Sequence, residues 1–211
     1  GRVDNCIHLI KMWKALAGHL DLVYWLTYGS ALGQEVWGGQ IPYDTDIDVE
    51  IIQGDTIKLQ NVASDEALLS KLGIHKLRIH PHWRRPWTER QYLPNAGLDF
   101  KTPVGRLYDK AGRYVDIWGA PTHDDLPGIV PKGHIATQFE RYEYIPRPMS
   151  FVFPTRPCVF GGVEMQCAAE QALFCRHQYG VNWKIPYRTC DAATKTWVKD
   201  ARLESTAPKW W

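Results

Sequence analysis

Asp46 and Asp48 stand two residues apart in the run Asp44-Thr45-Asp46-Ile47-Asp48-Val49-Glu50-Ile51-Ile52, where polar and apolar side chains alternate. Residues i and i+2 of a strand share a face. The spacing therefore predicts a strand over 46–52 that buries Ile47, Val49 and Ile51 and holds both carboxylates on the opposite face. Like charges this close repel unless a cation lies between them. Hard carboxylate oxygens suit Mg2+ or Mn2+, with Asp44 at the loop-to-strand boundary as a ligand of the same ion or of a second one. A bare D-x-D is more often a solvated strand face, so its surroundings decide.

The run Leu22-Val23-Tyr24-Trp25-Leu26-Thr27 reads as a buried strand and leads through Tyr28 to Gly29-Ser30, which opens a helix. N–H groups at a helix N-terminus bind phosphate, and a glycine permits close approach; Ser30 also suits an ordinary N-cap. Asp116, in Tyr114-Val115-Asp116-Ile117-Trp118, is a lone charge among apolar neighbours, costly there unless paired or metal-bound. It reads as a third metal ligand, as the base that deprotonates an acceptor hydroxyl, or as the partner of a nearby arginine. A phosphate turn ahead of paired carboxylates is the layout for metal-assisted attack at phosphorus. The catalytic set is thus Asp46, Asp48 and Asp116; the metal set adds Asp44; the donor-phosphate set begins with Gly29 and Ser30.

The elements that must position these groups follow from periodicity. Helical spacing of Ile7, Ile10, Met12, Trp13, Leu16 and Leu20 predicts a helix over 6–20. Further helices are expected over 31–37, ended by Gly38-Gly39, over 65–72, stopped by Gly73, and over 168–179, ended by Gly180. Strands are expected over 22–27, 46–52 and 74–79, with hairpins over 104–118, turning at 109–112, and over 158–166, turning at Gly161-Gly162. Residues 80–103 and 121–157 read as long loops, and the tail from Trp183 as irregular. Trp83, Trp87 and Tyr92 either form a stacking wall for a base or sugar or pin the first loop to the core. His80-Pro81-His82 has metal-pair spacing only if extended.

The chain has 211 residues, 45% of them hydrophobic, which suits one globular domain over 1–211. A net charge of +2 gives no argument for nucleic acid or an anionic membrane. No apolar run approaches about 18 residues, so no transmembrane segment is expected in this sequence. The five cysteines, Cys6, Cys158, Cys167, Cys175 and Cys190, lack C-x-x-C spacing, which argues against zinc; pairing among the last four is left open. The absence of an N-x-[ST] sequon leans against a secretory lumen. The chain begins Gly1-Arg2 rather than Met, and a trimmed sequence is expected, so the compartment stays open between cytoplasm and Golgi lumen.

The combination Tyr28-Gly29-Ser30-Ala31-Leu32-Gly33 and Ile41-Pro42-Tyr43-Asp44-Thr45-Asp46-Ile47-Asp48 resembles the signature of the LicD family, which includes bacterial phosphocholine transferases, fukutin and fukutin-related protein. Val115-Asp116-Ile117-Trp118 is similar to a later element of that family, and Pro157-Cys158 through Pro186 to its C-terminal end, so the likeness spans about 22–186. The resemblance implies an α/β (α+β) nucleotidyltransferase-like fold, a mixed β-sheet flanked by helices with an irregular C-terminal half. It implies a metal-dependent phosphotransferase that moves phosphocholine, ribitol phosphate or a sugar phosphate from a nucleotide-diphosphate donor to a hydroxyl of a glycan or glycoconjugate. A CDP-linked donor is favoured, with UDP- or GDP-sugars as alternatives.

Two departures stand out. The basic residue the family often carries after L-G is replaced by Gln34-Glu35-Val36-Trp37, and the histidine before the third acid by Tyr114. Arg106 is taken as the cation for the donor phosphates, with Arg84, Arg85, Lys101 and Arg113 as substitutes. Rival readings are a D-x-D glycosyltransferase, which releases a nucleoside diphosphate instead of a monophosphate, and a non-catalytic glycan- or nucleotide-binding module, which would bind no metal.

Overall fold

The computed structural model of the chain describes residues 3–42, 44–138, 144–185, 188–191, 193–194 and 196–199. Its centre is a mixed five-stranded sheet built from β1 (Tyr24–Leu26), β2 (Ile47–Ile52), β3 (Lys76–Ile79), β4 (Gly105–Tyr108) and β5 (Tyr114–Ala120), in the order β1-β2-β5-β4-β3. Only β2 and β5 run parallel; the other neighbours are antiparallel.

The period-two pattern of β2 does what the sequence leads one to expect. Ile47, Val49 and Ile51 are fully buried and join Val115, Ile117, Leu107 and Leu77 on one face. Helix α1 (Val3–His19) closes that face with Leu9, Ile10, Trp13 and Leu16. Each such side chain contributes about 1.5–3 kcal/mol by leaving water, so the register of β2 is firmly set: a one-residue slip would turn the carboxylates into the apolar layer beneath α1 and the isoleucines onto the acidic face. Helix α1 begins at Val3, earlier than the expected 6–20.

Between β1 and β2 lies α2 (Tyr28–Trp37), capped at its end by Gly38 as expected. The chain then doubles back so tightly that a Cβ on Gly33 would lie 2.4 Å from the Gly39 carbonyl oxygen. After β2 come a 3-10 turn (Gln53–Asp55), α3 (Thr56–Val62) and α4 (Glu66–Lys71). The N-cap of α4 is Asp65, whose side chain accepts from the Leu68 N–H at 2.9 Å.

The two expected loops are more ordered than their composition suggested. Residues 80–103 contain α5 (Trp87–Arg90). The buried Arg90 donates to the carbonyls of Trp83, at 3.0 Å, and Thr102, at 2.5 Å, stapling the segment together. Trp83 and Trp87 are buried and pin it to the protein, while Tyr92 alone is exposed at 79%. His80 is buried, and its Nδ1 accepts from the His82 backbone N–H at 3.1 Å; burial holds its pKa down at about 4, so it is neutral. The chain turns at Pro81 and His82, so the extended backbone that a His80–His82 metal pair would need is absent here.

The second loop contains the hairpin β6 (His134–Gln138) and β7 (Tyr144–Pro148) and the turn Met149–Phe151. Prolines at 146 and 148 and the polar edge of β6 hid these strands from a periodicity reading. The expected hairpin near 158–166 is β8 (Arg156–Phe160) with β9 (Val163–Cys167), cross-linked by a Cys158–Cys167 disulfide. Helix α6 (Gln171–Tyr179) packs on α2. The tail is not wholly irregular: β10 (Arg188–Asp191) pairs with β11 (Thr196–Lys199). Cys6 and Cys175 are free and buried, and the Cys190 side chain lies outside what is described. Among the described residues no helix is long and apolar enough to cross a membrane.

Candidate active site

The sheet face opposite α1 carries the chemistry. Asp48 and Asp116 are register partners across the parallel β2–β5 pair, so both side chains project to the same side. Asp46 precedes β2 on that face, and carboxylate oxygens of Asp46, Asp48 and Asp116 all lie within 4.8 Å of one another. Asp48 and Asp116 are buried, and Asp46 is partly so.

Electrostatics at this cluster are adverse without a counter-charge. Burial, then the neighbouring Asp46, pushes the Asp48 carboxyl well above the usual carboxylate range, against the lowering hydrogen bond from Trp118. Burial raises Asp116 to about 6, opposed by Arg106 and reinforced by Asp46 and Asp99. Three hard oxygen donors at this separation fit one small divalent cation, which would relieve both effects.

Each acid is oriented by its neighbours. The indole N–H of Trp118 donates to Asp48 Oδ1 at 2.9 Å, and the Trp118 ring packs on Tyr28 with centroids 4.6 Å apart. Arg106, the register partner of Asp116 on β4, grips it with Nε–Oδ1 at 2.6 Å and Nη2–Oδ2 at 3.0 Å. Its remaining Nη1 donates to Asp99 at 3.3 Å, and the guanidinium stacks over Tyr114 at 3.7 Å. Asp116 is thus both a member of the acidic cluster and the arginine's partner, and of the sequence readings the arginine pairing is the one observed. Arg106, expected at the donor phosphates, is shared between two carboxylates. Of its expected substitutes, Arg113 pairs with Asp109 at 2.5 Å, Arg85 with Glu89 at 3.8 Å, and Arg84 lies over the Trp83 ring.

The turn into α2 meets β2 directly. Thr27 is the helix N-cap residue without a side-chain cap bond. Ser30 therefore lies inside the first turn, not at the N-cap, and its Oγ accepts from the Asp48 backbone N–H at 2.8 Å. Tyr28 has φ 42, a conformation that a bulky residue holds at a cost of roughly 1–3 kcal/mol and that gathers at functional sites. A Cβ on Gly29 would stand 2.6 Å from Asp44 Oδ2 and in ordinary contact with Asp48 Oδ2 at 3.6 Å, so any larger residue here would push the Asp44 carboxylate away from the helix end. Asp44 sits against Gly29, beside the cluster of three and not within it. Gln40 Nε2 donates to the carbonyls of Asp44 and Asp46, both at 3.2 Å, fixing the approach to β2. Tyr43 lies outside the described residues.

Two participants carried no sequence signal strong enough to be singled out. In the sequence Trp118 stands out only as the end of the Val115-Asp116-Ile117-Trp118 strand and of the resemblance it carries. Glu50 continues the i, i+2 row from Asp46 and Asp48; it is fully buried and accepts from Trp25 Nε1 at 3.0 Å and Thr27 Oγ1 at 3.2 Å. Burial lifts its pKa to about 7, against the pull of those bonds and of Arg147 on β7.

Residues 21–169 match the family model described as LicD/FKTN/FKRP, nucleotidyltransferase domain. No match was found among curated proteins. Two solved structures are similar at a distance. One is the lincomycin-bound lincosamide antibiotic adenylyltransferase LnuA (18% identity, 76% of this chain, 79% of that chain, TM-score 0.40). The other is the antibiotic-resistance factor ANT(2'')-Ia (16% identity, 81% of this chain, 69% of that chain, TM-score 0.43).

Proposed function

The chain belongs to the LicD/FKTN/FKRP family through its nucleotidyltransferase domain and is a transferase of that family, and from that premise we propose that it moves a phosphorylated group from a nucleotide-diphosphate donor to a glycan hydroxyl. Phosphocholine, ribitol phosphate and a sugar phosphate are the groups in view, with a CDP-linked donor favoured. The observation that carries this reading is the convergence of Asp46, Asp48 and Asp116 within 4.8 Å beside the N-terminus of α2.

Asp46, Asp48 and Asp116 would hold Mg2+ or Mn2+, with Asp44 at the margin of the site. The ion, when bound, supplies Lewis-acid stabilisation of charge on the phosphates. The first-turn N–H groups of α2, with Gly29 and Ser30, face the donor phosphates. Arg106 holds Asp116 in place and offsets part of the cluster's negative charge. The acceptor oxygen attacks phosphorus in line with the departing nucleoside monophosphate. Its proton passes to Asp116 or to a neighbouring carboxylate of the cluster.

The test is turnover of CDP-choline, CDP-ribitol and UDP- and GDP-sugars with Mg2+ or Mn2+, with and without glycan acceptors, the released nucleotide being identified by mass. Metal-dependent release of a monophosphate, lost in Asp46→Asn/Asp48→Asn, is expected. Release of a diphosphate would overturn the proposal in favour of glycosyl transfer, and unchanged turnover in that variant would remove the acids from the mechanism.

A further inference from the structure

Four charged residues stand in one row across the sheet: Arg78 on β3 is the register partner of Arg106, Arg106 of Asp116, and Asp116 of Asp48. With strands about 4.8 Å apart, the row carries positive charge from the acidic cluster to a point roughly 10 Å away. Like charges directly opposite on neighbouring strands destabilise a sheet. Arg106 is neutralised by Asp116 and Asp99, but Arg78 has no ion pair among the described residues.

Arg78 opens onto a cavity of about 330 Å³, which His75, Lys76, Asp99, Tyr108 and Lys110 also line. Lys76 and Lys110 likewise have no carboxylate partner among the described residues, and both are exposed. The lining acids are engaged elsewhere: Asp99 accepts from Arg106 and from the Tyr108 hydroxyl, and Asp109, also at the rim, is held by Arg113. The cavity therefore presents three cations with no ion pair among the described residues against one carboxylate, Asp99, which shares Arg106 with Asp116, and its lining stays net positive.

We propose that this cavity binds an anionic group, phosphate or carboxylate, carried by the sugar acceptor. The assignment to acceptor rests on the transferase reading above. In-line displacement puts the attacking oxygen opposite the leaving oxygen. The donor phosphates belong at the α2 end of the site, beside β1 and β2. The acceptor then enters across Asp116 and Arg106, over β4 and β3, where the cavity lies. The specificity this gives is for a charged sugar over its neutral counterpart.

The probes are glucose 6-phosphate, glucuronate, glucose and inorganic phosphate, each titrated into the metal-free protein and followed by backbone amide chemical shifts. Saturable shifts at Lys76, Arg78 and Lys110 are expected with the charged sugars, weakening with added salt, and absent with glucose. Arg78→Gln/Lys110→Gln is expected to weaken glucose 6-phosphate binding at least tenfold with an unchanged amide spectrum elsewhere. Equal binding of glucose, full binding by that variant, or tighter binding of inorganic phosphate than of the sugar phosphate would overturn the proposal. Asp46→Asn/Asp48→Asn separates the two readings: it is expected to abolish donor turnover and to leave glucose 6-phosphate at the cavity. No donor turnover by the wild type, with charged-sugar shifts intact, would sink the transferase mechanism and with it the acceptor assignment, but not the anion site.

Discussion

The hydroxyl of Ser30 accepts a hydrogen bond from the backbone N–H of Asp48 at 2.8 Å, so one contact ties the first turn of α2 to the strand that carries the acids. Ser30 is buried, and its removal leaves a buried amide without its partner at a cost of about 1–3 kcal/mol. Ser30→Ala is expected to lower Tm by several degrees, at about 2–4 °C per kcal/mol for a chain of this size. Thermal unfolding followed by circular dichroism checks it; a Tm within one degree of wild type would mean that water replaces the hydroxyl.

Trp118 acts on the site through Asp48. Trp118→Phe keeps an aromatic ring against Tyr28 and removes the donor N–H with part of the indole. Groups that orient a metal-binding carboxylate are worth about 10–100-fold in affinity or activity. The Mn2+ dissociation constant of the variant is expected to rise by about tenfold with Tm nearly unchanged, as read by Mn2+ titration in parallel with melting.

Arg106 and Asp116 form a buried bidentate pair. Removing one member of such a pair costs about 3–5 kcal/mol because the other charge is left buried alone. Urea unfolding of Arg106→Met is expected to show a loss of that order. Adding Asp116→Asn should recover part of it, since the stranded charge is gone, and the double-mutant cycle measures the coupling.

Glu50 gives the protein a pH dependence of defined sign. Its carboxyl is fully buried and its pKa is raised from 4.5 to about 7. A raised carboxyl binds its proton more tightly folded than unfolded, so it destabilises the fold progressively as pH rises from about 4.5 through about 7, by an amount on the order of 3 kcal/mol. His80, lowered from 6.5 to about 4, works in the opposite sense over the lower part of that range. The wild-type profile is therefore a sum, and the difference between wild type and Glu50→Gln isolates the glutamate. Measured by urea unfolding, the variant is expected to gain on wild type between pH 5 and pH 8; a constant difference would show that Glu50 ionises normally.

The strand that carries Asp46 and Asp48 is legible in the amino-acid order alone, because a period of two with isoleucine and valine on one face has a single burial solution. The same order determined the turn at Gly29, the β4–β5 hairpin that brings Asp116 in, and the family. Local pattern carries the strand, the turn and the hairpin, since each depends on residues within a few positions of one another, and the family follows from several such local motifs in order along the chain. The tertiary structure decided what those groups touch. Sheet order placed β5 beside β2 and so set Asp116 against Asp48, and placed β4 beside β5, which committed Arg106 to a carboxylate. Packing turned Ser30 from a cap into a link to β2 and gave Trp118 a role through its N–H. Strand pairing between residues far apart in the chain has no local signature, and the meaning of a charge depends on which charges that pairing sets beside it.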